Sequence, residues 1–126
     1  MQSAADVAPA ELAGIETAIR DYIVGWYTGN VEQIDRALHD ELVKRIPVAD
    51  ESGAVDLRAV SKERMLEMTS SGGGDDPAAA YEIHVDDVAD DIATARVLSP
   101  EYLDYLHLAR TPAGWQIVNV LFHMRA

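Results

Sequence analysis

The chain contains no cysteine, which excludes disulfides, zinc–thiolate sites and thiol catalysis. It has no apolar run near the ~18–20 residues that a bilayer-spanning helix needs. Its start shows no basic region followed by an apolar core, so no secretory signal is expected and a cytoplasmic protein is the default. Basic charge is scarce: 10 Lys and Arg stand against 22 Asp and Glu, a formal charge of −12. Scattered basic residues on such a background repel phosphate backbones and anionic lipid, so neither nucleic acid nor membrane is an expected partner. Motif chemistry is equally thin. No His-x-x-x-His or Glu-x-x-His spacing is present, and the acidic pairs at 75–76, 86–87 and 90–91 do not follow a calcium loop. Gly72-Gly73-Gly74 follows a helical stretch and precedes Asp-Asp-Pro, the wrong order and charge for a phosphate loop. No Gly-x-Ser-x-Gly elbow occurs. The sequence therefore predicts no metal site and no cofactor.

What is present is one domain's worth of chain: 126 residues, 48% hydrophobic and 25% charged. Residues 1–8 read as a flexible lead-in to a single domain over 9–126. From Pro9 a helix is expected, with Leu12, Ile15, Ile19, Tyr22, Ile23 and Trp26 on one stripe and Gly29 as its C-cap. Asn30 caps a second, short helix that ends near residues 39–40, with Gln33 completing a capping-box pattern. Residues 41–49 and 55–59 read as short strands, Pro47 favouring an edge or a strand end. Ser61 caps a third helix, with Val60 and Met65 as a hydrophobic staple, and a breaker-rich loop follows over 70–77. Strands are expected at 81–85 and 92–98, joined by a tight polar connection around Val88. The order implies an α+β fold, a curved antiparallel sheet with helices on one face.

The last quarter, residues 101–125, reads as a long β-hairpin turning at Pro112-Ala113-Gly114. Closed symmetrically around that turn, alternation sorts its side chains onto two faces. One carries Leu103, Tyr105, His107, Trp115, Ile117, Asn119, Leu121 and His123; the other carries Tyr102, Asp104, Leu106, Leu108, Val118, Val120, Phe122 and Met124. Neither is polar enough for a face left in water, so both are expected to be covered. A one-residue change in register would exchange the faces and make Asp104 and Tyr102 the pocket groups.

This order, with three strings, resembles the nuclear-transport-factor-2-like superfamily, in its branch labelled putative lumazine-binding. The strings are Ile19-Arg-Asp-Tyr-Ile-Val-Gly25, Leu38-His-Asp-Glu-Leu-Val-Lys-Arg45, and the hairpin pair Asp104-Tyr-Leu-His-Leu-Ala with Gly114-Trp-Gln-Ile-Val-Asn-Val-Leu-Phe. The resemblance spans residues 10–125 and departs from the family's usual His-Pro at His39-Asp40. It implies a cone-shaped curved sheet wrapped around a long N-terminal helix with two shorter helices, a pocket inside the cone, and often a homodimer through the sheet's other face. It implies no mechanism, because such scaffolds host isomerases, dehydratases, cyclases, hydrolases and plain binders.

Six residues are the candidate ligand contacts. Tyr105, His107, Asn119 and His123 share the mixed face of the hairpin, and Tyr22 and Trp26 sit one turn apart on the first helix, where a flat ring could stack. The weaker catalytic candidates are His39, four residues after Asp35, together with Asp104 and His107. The leading functional reading is a binding domain for a small, flat, mostly apolar molecule. The alternatives are an acid–base enzyme of isomerase or dehydratase type using a pocket His with an Asp, and a non-catalytic dimeric interaction module. A homodimer is expected through Val118, Val120, Phe122 and Met124, the apolar residues for which three helices on the opposite face give no cover.

Overall fold

Helix α1, Pro9–Thr28, follows directly from its spacing: Ile15, Ala18, Ile19, Tyr22 and Ile23 all point inward and are buried. Pro9 stands in its first turn with Glu11, and Gly29 ends it at φ 70°, a left-handed conformation that glycine adopts without strain. The structure, a computed structural model, describes residues 6–125; the first five residues of the expected lead-in lie outside the described residues. Asn30 caps α2 (Val31–Ala37) by accepting from the Gln33 N–H at 3.1 Å. The Gln33 side chain donates instead to Asp21, so the expected box is not reciprocal.

Helix α2 stops at Ala37 and the chain enters β1, Leu38–Ala49, directly. His39 is consequently a strand residue, and the expected Asp35–His39 helical pair does not form. Asp35 meets Lys62 at 2.9 Å, and the His39 Nδ1 accepts from the Glu41 N–H. Strand β2 (Val55–Ser61) returns antiparallel to β1. Ser61 then caps α3 (Lys62–Ser70), whose Met65 is buried with Val60 packed nearby. Strand β3, Glu82–Ala89, runs through the supposed connection at Asp86–Val88 by means of a bulge between Val85 and Asp87. Strands β4 (Ile92–Leu98), β5 (Tyr102–Thr111) and β6 (Gly114–Met124) follow.

The six strands form one curved, unclosed sheet in the order β2-β1-β6-β5-β4-β3. All neighbours are antiparallel except β1 and β6, the second and third strands of that order, which run parallel. The helices cover one face, and the core lies between them and that face. Ile15, Ile19, Ile34, Leu38, Leu106, Ile117 and Val120 are all fully buried there. No helix among the described residues is long and apolar enough to cross a membrane.

The closing hairpin decides which side chains reach that core. Its outer half pairs as expected, with Leu103 opposite His123, Tyr105 opposite Leu121 and His107 opposite Asn119. A bulge at Val118 then shifts the register, so that Leu108 faces Ile117. The extra residue turns Trp115 and Ile117 to the helix-covered side, away from the histidines with which alternation had grouped them. The covered face is the one carrying Asp104, Leu106, Leu108, Val120 and Phe122. Tyr105, His107, Leu121 and His123 look out from the sheet's open face, with Tyr105 55% and Leu121 42% exposed. The two faces are thus exchanged relative to the expectation, because alternation separates faces without saying which one the helices choose.

Candidate functional site

Three adjacent strands bring polar groups into the covered face at one level. Val120 on β6 pairs with both Lys44 on β1 and Leu106 on β5, so Lys44, Val120 and Leu106 share a side. Two residues along, Asp104 faces Phe122, and two more along Tyr102 faces Met124. Helix α1 lies over this level with Tyr22 and, one turn on, Trp26.

The result is a buried chain of hydrogen bonds. Lys44 Nζ donates to Tyr22 Oη at 2.6 Å, and the Tyr22 hydroxyl donates to Asp104 Oδ2, also at 2.6 Å. Lys44 Nζ stands 3.8 Å from that same carboxylate oxygen. Asp104 is only 1% exposed, and its other oxygen, Oδ1, has no hydrogen-bond partner among the described residues; nor does the buried Trp26 Nε1. Unsatisfied buried polar atoms are uncommon and mark places where something is missing or strained. The Lys44 amine is also ringed by aromatics, with the Phe122, Tyr22, Trp26 and Tyr102 centroids at 4.5, 5.0, 6.0 and 6.0 Å. Trp26, Tyr102 and Phe122 meet edge to face and are only partly buried, so they form the rim of this cluster.

Burial dominates the electrostatics. It pushes the Asp104 carboxyl above the usual carboxylate range, against the opposing pull of Lys44 and the Tyr22 hydrogen bond. It lowers the Lys44 amine, with Asp104 only partly restoring it. Burial and then the Asp104 charge raise the Tyr22 phenol well above its ordinary value. Each group is moved toward its neutral form. A carboxyl, a phenol and an amine joined by hydrogen bonds in a buried site form a chain along which a proton can be accepted, donated or passed.

The other candidates stand elsewhere. Tyr22 and Trp26 belong to the cluster just described. Tyr105, His107, Asn119 and His123 lie on the open face, where Arg45 Nη1 donates to Asn119 Oδ1 at 3.2 Å and Asn119 Nδ2 meets His107 Nδ1 at 3.3 Å. His107 and Val118 border an apolar hollow of about 340 Å³ on that face, walled by Ala89, Ile92 and Ala109. Asp104 contacts no histidine; its partners are Tyr22 and Lys44. Val120 and Phe122 are on the covered side, so they cannot meet a partner across the open face. Lys44 was missed. The signal for it lay in Leu42-Val43-Lys44-Arg45-Ile46, where either choice of face sends one basic residue inward.

The loop after α3 closes the end of α1 over this cluster. Gly74 N–H donates to Trp26 O at 3.2 Å and Asp76 N–H to Tyr27 O at 3.0 Å. A Cβ at Gly74 would lie 2.6 Å from the Tyr27 ring and 2.8 Å from Trp26 Nε1, so only glycine lets the strap lie this close.

Comparison with known proteins agrees with this architecture. The family described as "Putative lumazine-binding" matches residues 10–123. No curated protein matches the chain. Among solved structures, an NTF2-like protein of unknown function from Shewanella baltica is similar at TM-score 0.79 and 16% identity, covering 96% of this chain and 99% of that one. One from Methylobacillus flagellatus, also of unknown function, is similar at TM-score 0.78 and 21% identity, covering 99% and 100%. A ketosteroid isomerase-like protein from Erwinia carotovora is similar at TM-score 0.68 and 21% identity, covering 94% and 99%. At these identities the likeness is one of fold.

Proposed function

The chain belongs to the putative lumazine-binding family of NTF2-like proteins, and from that premise we propose that it binds a small, flat molecule at the Lys44–Tyr22–Asp104 cluster. The ligand enters through the rim of Trp26, Tyr102 and Phe122, the rings that surround the Lys44 amine. The observation that carries the reading is the free Oδ1 of a carboxyl group 1% exposed. A buried acceptor without a donor costs about 1–3 kcal/mol, and a ligand N–H directed at it removes that cost. A heteroaromatic ring with donors and acceptors on one edge has the matching shape: its faces stack on the aromatics and its edge meets Asp104 and Lys44. Differential scanning fluorimetry with a panel of lumazines, flavins and simpler heterocycles tests this. A rise in Tm with at least one heterocycle, lost in Asp104→Ala, is expected. No shift with any member overturns the reading.

The same oxygen supports a second reading, acid–base catalysis, in which Asp104 takes the proton and Tyr22 replaces the histidine of the sequence-based version. Proton–deuterium exchange at the α-carbon of cyclic ketones, followed by NMR, tests it; exchange no faster than in buffer overturns it.

The open face is proposed to bury itself against a second copy of the chain. Along β4 and β5 its outward positions, from Ile92 to Leu98 and from Leu103 to Ala109, carry no carboxylate, although the chain has 22 acidic residues. Contact through β4 and β5 spares two molecules of charge −12 like-charge repulsion where they touch.

A further inference from the structure

We propose that Lys44 is a covalent capture residue, its amine forming an imine with the carbonyl of an aldehyde carried on a flat aromatic ligand. This rests on the binding site proposed above and names the functional group its ligand carries.

Geometry is the first support. An aromatic ring that enters among Trp26, Tyr102 and Phe122 places a carbonyl substituent beside Lys44 Nζ, which lies 4.5–6.0 Å from the surrounding ring centroids. The Lys44 side chain is 11% exposed. The reaction also needs proton carriers, and both are in place. The Nζ lone pair attacks the carbonyl carbon and the carbonyl oxygen becomes a hydroxyl, giving a carbinolamine. A proton delivered through Tyr22 from Asp104 lets that hydroxyl leave as water. The nitrogen returns its proton to the carboxylate as the C=N bond forms. Amine and aldehyde give imine and water, and no other reactant is consumed.

The second support is a contrast within the chain. It has only two lysines, Lys44 and Lys62, against eight arginines. Arginine is the usual residue for a permanent interior cation, whereas a desolvated lysine is the usual imine-forming nucleophile. Lys62 is partly buried, which works against its charge, but hydrogen bonds to Asp35 at 2.9 Å and Asp40 at 3.0 Å outweigh this and raise its pKa. Lys44 moves the other way, because burial outweighs Asp104. One lysine is held as ammonium and the other is released toward free amine.

The test treats the intact protein at neutral pH with benzaldehyde and sodium cyanoborohydride and maps benzyl adducts by peptide mass spectrometry. The expected adduct at Lys44 exceeds that at Lys62, since the amine whose pKa is lowered holds more free base at neutral pH than the one whose pKa is raised. The N-terminal amine is counted separately. Lys44→Arg should abolish the adduct, and the wild-type map is decisive even if that variant does not fold. Benzyl alcohol, the same ring without the carbonyl, reports on the pocket alone through Tm and tryptophan fluorescence. Benzyl alcohol binding with equal labelling of the two lysines overturns the imine and leaves the pocket standing. Neither binding nor selective labelling overturns both.

Discussion

Removing one member of the buried Lys44–Asp104 pair should be far more damaging than removing both. In Asp104→Leu the Lys44 amine loses its neighbouring carboxylate and the Tyr22 hydroxyl loses its acceptor. Stranding one partner of a buried pair costs about 3–5 kcal/mol. Because Lys44 is already displaced toward its neutral form, the lower end, about 3 kcal/mol, is expected. Lys44→Met strands a carboxyl that can protonate and keeps the Tyr22 hydrogen bond, so about 2 kcal/mol is expected. In the double variant neither charge is buried and two apolar side chains fill the space. The remaining penalty is the unpartnered Tyr22 hydroxyl, about 1–2 kcal/mol. The double variant should therefore lose less than Asp104→Leu alone, where additivity would demand about 5 kcal/mol. Urea denaturation read by the fluorescence of Trp26 and Trp115 measures this. With a slope of about 2 kcal/mol per molar, Asp104→Leu should move the midpoint by about 1.5 M. A double variant destabilised by the sum of the singles would refute the reasoning, since the two groups would then not be coupled.

Three further outcomes follow from the same contacts. The folded-state pKa of Asp104 is raised, so its contribution to stability is full below the unfolded carboxylate value, about 3.9, and is lost as pH rises through the raised value. The stability of the wild type minus that of Asp104→Asn should therefore fall between pH 3.5 and pH 7; a rise would contradict the burial argument. Asp40 and Asp50 act in the opposite sense, their pKa values lowered by hydrogen bonds from Lys62 and Ser52 respectively, and they cancel in that difference. Gly74→Ala should cost about 1–3 kcal/mol by overpacking and change the emission of Trp26; an unchanged spectrum and midpoint would show that the strap yields. Leu121→Arg puts a charge in the middle of the open face, and light scattering should show a dimer in the wild type and a monomer in the variant. A wild-type monomer at micromolar concentration refutes the self-association.

The helices and their caps were legible because their signals are local. The 3.6-residue stripe of α1, Gly29, Asn30 and Ser61 each act within a few residues, and tertiary packing had no reason to override them. The hairpin turn at Pro112-Ala113 was legible for the same reason. Two features were not. The Val118 bulge changes the phase of β6 without any glycine or proline to announce it, and so regrouped Trp115 and Ile117. The choice of covered face is a global decision, settled by where α1 lies rather than by either strand. The histidine-bearing face had looked like the pocket because polar groups set in an apolar strand suggest a site. Here they sit beneath no helix, and the carboxylate that seemed isolated is the one the fold covers. Asp104 demanded a partner, and Lys44 was available in a strand whose alternation placed it correctly. What was missing was the parallel β1–β6 contact that joins the two strands at one level.

That contact also has a kinetic meaning. Strand β6 is made after every other strand, yet it lies in the middle of the sheet between β1 and β5. Until it is synthesised, β1 and β2 can form only a two-stranded ribbon, and β3 to β5 a separate meander with an unpaired inner edge. The nascent chain must carry α1, α2 and β1 without their sheet for most of its synthesis. Insertion of one late strand then closes the core, unites Lys44 with Asp104 and removes two open edges at once. Sheet assembly is accordingly a single late event with long loop closures behind it, slow by the standards of helical domains. During that interval the exposed edges of β1 and β5 are the places where the chain is most open to pairing with another copy.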